Sequence, residues 1–142
     1  MRYFVRNADQ LEGAVKALSL CDRISHDTET YNLEGENDIG GLNPFHGSRA
    51  FAHVFANKDD EYYFDFNEKG LARKHLQALS PIFSDRSRII FYVNAPFDNT
   101  ILHFDGIKNL ARIVDCPALA RVENNNNGKD EFSDVSYLGL DY

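Results

Sequence analysis

Arg88-Ile89-Ile90-Phe91-Tyr92-Val93-Asn94-Ala95-Pro96-Phe97-Asp98 joins the most apolar run of the chain directly to the start of a helix. Ile89 to Val93 is short and uninterrupted by polar residues, which predicts a strand buried on both faces. Pro96 suits a first helical turn, where its missing N–H costs nothing. Phe97, Ile101 and Phe104 then recur at i, i+4 and i+7. A core strand that passes straight into a helix is the repeating unit of an α/β fold.

Working outward, the same alternation holds. Asn7 and Gln10 have the spacing of a capping box ahead of Leu11, Ala14, Val15 and Leu18, which share one helical stripe. Tyr3 to Val5, Arg23 to Thr28 and Ala111 to Val114 read as short strands. Ala50 to Ala56 and Tyr62 to Phe66 are rich in aromatics and flank Asn57-Lys58-Asp59-Asp60, a run of turn formers, so they predict a β-hairpin. A second helix is expected after Asn67, with Ala72, Leu76 and Leu79 on its apolar stripe and Pro81 blocking its continuation. The expected fold is α/β: a mixed sheet flanked by helices, with a β-hairpin after the first core strand.

Composition narrows the functional classes. The chain has 142 residues, enough for one domain with a real core. Cys21 and Cys116 stand far apart without metal-ligand spacing, which excludes a disulfide framework or a zinc site. Neither a membrane span nor a secretory leader is expected, since no apolar run nears about 20 residues and Met1-Arg2-Tyr3-Phe4 lacks an h-region. A cytoplasmic location follows as the expectation. The net charge of −7 argues against broad phosphate neutralisation, so any contact with nucleic acid has to be local and cation-assisted.

Two acidic clusters carry the chemistry. In His26-Asp27-Thr28-Glu29-Thr30, strand alternation puts Asp27 and Glu29 on one face, with α-carbons roughly 6–7 Å apart. Like charges at that spacing repel unless a cation joins them, and hard oxygen ligands suit Mg²⁺ or Mn²⁺. In Asn94-Ala95-Pro96-Phe97-Asp98, the acid falls in a first helical turn at the end of the core strand. Each cluster alone also has a plain reading, as a solvated strand end and as an acid offsetting a helix dipole. Together they place three carboxylates on the C-terminal edge of one sheet, where α/β proteins bind ligands. Divalent metals held there would serve phosphodiester hydrolysis.

These motifs resemble those of the DEDD (DnaQ-like) 3′–5′ exonucleases, which have a ribonuclease-H-like fold. The resemblance is to the proofreading domains of family A DNA polymerases, including phage-type ones. Asp27-Thr28-Glu29-Thr30 matches the D-x-E motif, and Asn94, Phe97 and Asp98 match N-x-x-F/Y-D. Ile113-Val114-Asp115-Cys116 resembles the strand that follows, with Cys116 where Thr is usual. The resemblance implies two Mg²⁺ or Mn²⁺ ions held by Asp27, Glu29 and Asp98. It implies that Thr28, Thr30 and Asn94 position the 3′-terminal nucleotide beside Phe97, with Leu33 as an apolar wedge against a base. The implied substrate is the 3′ end of single-stranded DNA, or RNA, and a DNA polymerase domain in the same parent protein is the implied partner.

The third motif, Tyr-x3-Asp or His-x4-Asp, is expected to be missing. Tyr137 and Asp141 have the Tyr-x3-Asp spacing but come too early, and Tyr137 to Tyr142 reads as the start of the helix preceding that motif. The expectation is therefore a single exonuclease-like domain over residues 1–142 that is incomplete at its C-terminus. A non-catalytic module of the same fold, binding a polymerase or a nucleic acid end, is the alternative. His26 is expected to tune the charge of its acidic neighbours, and Arg49 to be structural.

Overall fold

The computed structural model describes residues 1–32, 44–67 and 69–123. The element order is β1 (Arg2–Val5), α1 (Ala8–Ser19), β2 (Arg23–Asn32), a 3-10 turn (Pro44–His46), β3 (Ser48–Ala56), β4 (Glu61–Asp65), a 3-10 helix (Arg73–Leu79), α2 (Ser80–Ser84), β5 (Ile89–Tyr92), α3 (Ala95–Phe104), β6 (Arg112–Asp115) and α4 (Cys116–Glu123). The strands form one sheet in the order β1-β4-β3-β2-β5-β6. Only β3 runs against the others, since it is antiparallel to both β2 and β4 while the remaining neighbours pair in parallel. The expected mixed α/β sheet is therefore what this chain forms. No described helix is long and apolar enough to cross a membrane.

Local chemistry explains most elements. Asn7 Oδ1 accepts the Gln10 N–H at 3.0 Å and so caps α1. Gln10 Oε1 reaches one residue further back than a capping box requires, to the Arg6 N–H. Asn57 Oδ1 closes the β3–β4 turn by accepting the amides of Asp59 and Asp60, each at 2.8 Å. The core lies on one sheet face, where Leu11 and Leu18 of α1, Leu76 and Leu79, Phe83 of α2 and Leu102 of α3 cover Ile24, Phe55, Phe64 and Ile90.

Four expectations change. The helix expected after Asn67 instead begins at Arg73 as a 3-10 helix, and α2 follows it at Ser80. Between Asp65 and Leu71 the chain folds back so tightly that the Leu71 N–H donates to Asp65 O at 2.6 Å. A Cβ on Gly70 would lie 2.2 Å from that same oxygen, so the turn requires glycine. Pro81 opens α2 rather than ending a helix. Strand β2 runs to Asn32, beyond the expected Thr28. Finally, β5 alternates: Ile90 and Tyr92 are buried, whereas Ile89 and Phe91 remain half-buried among the described residues.

Candidate active site

The site forms where β2 and β5 part. Their parallel pairing ends at Ser25↔Phe91, while β2 continues against β3 through Asp27↔Val54 and Glu29↔Ala52. Beyond Tyr92 the chain leaves the sheet at Asn94, the one non-glycine among the described residues with positive φ (65°). Asparagine tolerates this left-handed geometry better than most residues, at a cost of about 1 kcal/mol. The bend starts α3 at Ala95 and swings Asp98, in its first turn, back into the gap beside β2. There Asp98 is 2% exposed. Its Oδ1 accepts both the Thr28 N–H (2.9 Å) and the Thr28 hydroxyl (2.7 Å). A backbone donor without a partner on β5 thus finds one on α3.

Alternation places the other two acids as expected. Ile24, His26 and Thr28 are buried on the core side of β2, and Asp27 and Glu29 are exposed on the opposite side. All three carboxyls are short of positive charge. Burial pushes Asp98 up to about 7, and the charge of Asp27 adds to the shift against the opposing Thr28 donors. Asp27 is raised by loss of solvation, and Glu29 by the same effect and by the charge of Asp27. These are hard oxygen donors whose charged forms are disfavoured by burial and by one another, and a divalent cation would relieve that. Among the described residues, no three Asp, Glu, His or Cys side chains are gathered closely enough to hold a metal ion. The electrostatic convergence is present, and the ligand geometry is not closed.

Asp115 secures the α3 start. Asn94 makes no side-chain cap. Instead Asp115 Oδ2 accepts the Ala95 N–H at 2.7 Å, while Oδ1 accepts the Ala118 N–H at 3.3 Å. One carboxylate at the end of β6 therefore caps α3 from 20 residues away and holds α4 in register.

The 3′-5′ exonuclease family matches this chain over residues 3–140. The chain belongs to the 3′–5′ exonuclease family. No curated protein sequence matches it. Among solved structures, the catalytic core of RRP6 from Trypanosoma brucei aligns with a TM-score of 0.69 at 17% identity, covering 87% of this chain and 31% of that one. The Nibbler EXO domain of Aedes aegypti gives 0.65 at 16% identity, covering 87% and 56%. Escherichia coli RNase D, an exoribonuclease involved in structured RNA processing, gives 0.57 at 19% identity, covering 84% and 28%. This exonuclease-family chain thus spans between 28% and 56% of the length of those structures. At such identities the likeness shows the shared ribonuclease-H-like fold.

Within this 3′–5′ exonuclease fold the remaining sequence candidates separate. Asn94 is exposed, and Thr30 and Phe97 are half-buried. Thr28, expected to meet the substrate, is instead buried with its hydroxyl committed to Asp98. His26, expected to tune the acids, points into the core, 3% exposed and on the opposite side of β2 from Asp27. Burial and the neighbouring His53 hold its pKa well below the usual histidine value. Arg49 is structural as expected, donating to Pro44 O and Ser48 O and lying 5.0 Å over the Phe104 ring. Leu33, Tyr137 and Asp141 lie outside the described residues. Sequence reasoning gave Asp115 no role; its signal was an acid at the end of a strand next to the motif-bearing one.

Proposed function

We propose that this chain carries the catalytic centre of a metal-dependent 3′–5′ exonuclease that hydrolyses the terminal phosphodiester of single-stranded DNA. The observation that carries this reading is the cation-deficient trio at the β2–β5 fork: Asp98 buried with a pKa raised to about 7, beside Asp27 and Glu29. Asp27, Glu29 and Asp98 would hold two Mg²⁺ or Mn²⁺ ions. When bound, such ions supply Lewis acidity and neutralise charge at the reacting phosphate.

The chain's own residues orient the reactants. Thr28 fixes one oxygen of Asp98, and the other would serve a cation. Asp27 and Glu29 present theirs from the exposed side of the same strand. Asn94, Thr30 and Phe97 would help position a 3′-terminal nucleotide, and Leu33 would stack on its base. A strand end bound this way is read by stacking and shape, which tolerates any sequence.

RNA is the second reading. It is favoured by the likeness to RNase D, an exoribonuclease by its own description. The direct experiment uses 5′-labelled single-stranded DNA and RNA of one sequence, with Mn²⁺ or Mg²⁺, incubated with this chain and with the full product of its gene. Stepwise shortening from the 3′ end that EDTA stops and Asp27→Asn abolishes is the expected result. If neither protein shortens either strand, the chain is a non-catalytic module. Faster shortening of RNA than of DNA would move the substrate assignment to RNA.

A further inference from the structure

Beneath the carboxylates lies a chain of buried polar side chains with no part in the chemistry above. Tyr92 Oη is 3.1 Å from His26 Nδ1, His26 Nε2 is 3.1 Å from His53 Nδ1, and His53 Nε2 is 3.3 Å from Asp105 Oδ2. Asp105 Oδ1 accepts from Arg73 at 2.7 Å, and Arg73 also donates to Ala50 O of β3. At the other end Asn109 Nδ2 donates both to Tyr92 Oη (3.0 Å) and to Asn99 Oδ1 (2.9 Å). Asn99 Nδ2 in turn donates to Ala95 O in the first turn of α3.

The directions of these bonds follow from chemistry. The Asp105 carboxylate, paired with Arg73, can only accept, so His53 donates from Nε2 and a neutral ring then accepts at Nδ1. His26 must therefore donate from Nε2 and accept at Nδ1, and Tyr92 O–H fills that position. Tyr92 Oη keeps a lone pair for Asn109. Every donor points the same way, from Asn109 through Tyr92, His26 and His53 to Asp105. With His26 reversed, Tyr92 Oη would accept from both His26 and Asn109, and its own hydrogen would have to turn away from the chain towards Asn99. The rings have no room to turn: His26 stacks on His53 (5.3 Å) and Phe55 (4.6 Å), with Phe83 edge-on at 5.1 Å.

The chain links all the elements that carry the site. His26 is the backbone neighbour of Asp27, Asn99 is the neighbour of Asp98, and Tyr92 lies on β5 between them. We propose that Tyr92, His26 and His53 are positioning residues of the exonuclease site, their one-way hydrogen-bond chain fixing the separation of Asp27 and Glu29 on β2 from Asp98 on α3. A fully satisfied buried network rigidifies what it joins, and partners behind metal ligands commonly change metal affinity or turnover 10- to 100-fold when lost. The inference rests on the carboxylate assignment above but can be tested apart from it.

Two measurements decide it. Long-range ¹H–¹⁵N NMR of the imidazoles reads the tautomers without any enzyme activity; both rings are expected as Nε2–H, and an Nδ1–H form of either overturns the chain. Tyr92→Phe then removes one oxygen and keeps the packing. Expected is roughly tenfold weaker Mn²⁺ binding by calorimetry and a comparable fall in kcat, with KM for the oligonucleotide unchanged within about twofold. If Tyr92→Phe lowers only the melting temperature and leaves Mn²⁺ affinity and kcat at wild-type values, the network is structural and the proposal is wrong. If the wild type binds Mn²⁺ as expected but cleaves nothing, the exonuclease reading fails, and the calorimetry alone still decides the positioning role.

Discussion

The two ends of β5 bury opposite charges in opposite ways. Just before the strand, Arg88 is 2% exposed and surrounded by acceptors: Ser19 O and Cys21 O at the C-terminal end of α1, Pro81 O and Ile82 O in α2, and the Asp85 carboxylate. A cation against helix C-terminal carbonyls is also favoured by the helix dipoles. Just after the strand, Asp98 is equally buried, but it is supported by neutral donors, the N–H and hydroxyl of Thr28 and its own backbone N–H, while Asp27 repels it. Desolvating either charge costs several kcal/mol. At the Arg88 end the protein supplies the compensation itself. At the Asp98 end no such compensation is supplied; on the proposed function a bound cation would supply it, and that end would give up stability for function.

The strongest way to break this comparison is Asp98→Asn. Cleavage should fall on the order of 10³-fold, as expected when a group stabilising transition-state charge is lost. Stability in the absence of metal should move in the other direction. The folded pKa of about 7 lies above the ordinary 3.8, so between those values the folded chain holds a proton that the unfolded chain releases. Wild-type stability therefore declines as pH rises from about 4 to about 7, by up to about 4 kcal/mol from this group. The raised Asp27 and Glu29 add to the same slope. Urea unfolding from pH 4 to 8 should show that decline in the wild type and a flatter curve in Asp98→Asn. A variant as pH-sensitive as the wild type would mean that Asp98 is not the strained acid. Saturating Mn²⁺ at pH 8 should recover about 2.7 kcal/mol at 100 times its Kd in the wild type, and far less in the variant.

Arg88→Met sharpens the other half. It removes a satisfied cation and leaves carbonyls of α1 and α2 without their donors, so a loss of about 3 kcal/mol is expected at every pH from 5 to 9. Turnover per folded molecule, measured well below the melting temperature, should stay within about twofold of wild type. A large fall in turnover without loss of stability would show that the two ends of β5 are coupled rather than separate.

How much of this was legible in the sequence depended on how local each feature is. The β5–α3 junction was readable because an unbroken apolar run and Pro96 act within a few residues. Asp27 and Glu29 were readable because alternation on a strand needs no tertiary knowledge. The outer end of β2 was not, since Thr30, Tyr31 and Asn32 offer no alternating apolar pattern; that end is a strand because β3 pairs with it as far as Asn32. The late start of the expected second helix was hidden for a similar reason, as the chain first makes a turn in which Gly70 meets the Asp65 carbonyl. His26 was misread because its partners, His53 and Tyr92, lie 27 and 66 residues away.

Asp115 is the same lesson at the smallest scale and yields the mildest prediction. Its carboxylate caps α3 through the Ala95 N–H and α4 through the Ala118 N–H, so Asp115→Ala removes the acceptor from two helix starts. A cap of this kind is worth about 1–2 kcal/mol. Asp115→Asn retains an oxygen that can accept from Ala95 and should lose less than half of that. Because the α3 cap lies in the same helical turn as Asp98, Asp115→Ala should also slow cleavage several-fold, with KM unchanged. Asp115→Asn should stay near wild type, since the carboxylate's charge is not what positions Asp98. Equal damage from both substitutions would mean that the negative charge itself matters, and Asp115 would then belong with Asp27, Glu29 and Asp98 rather than with the residues that hold them.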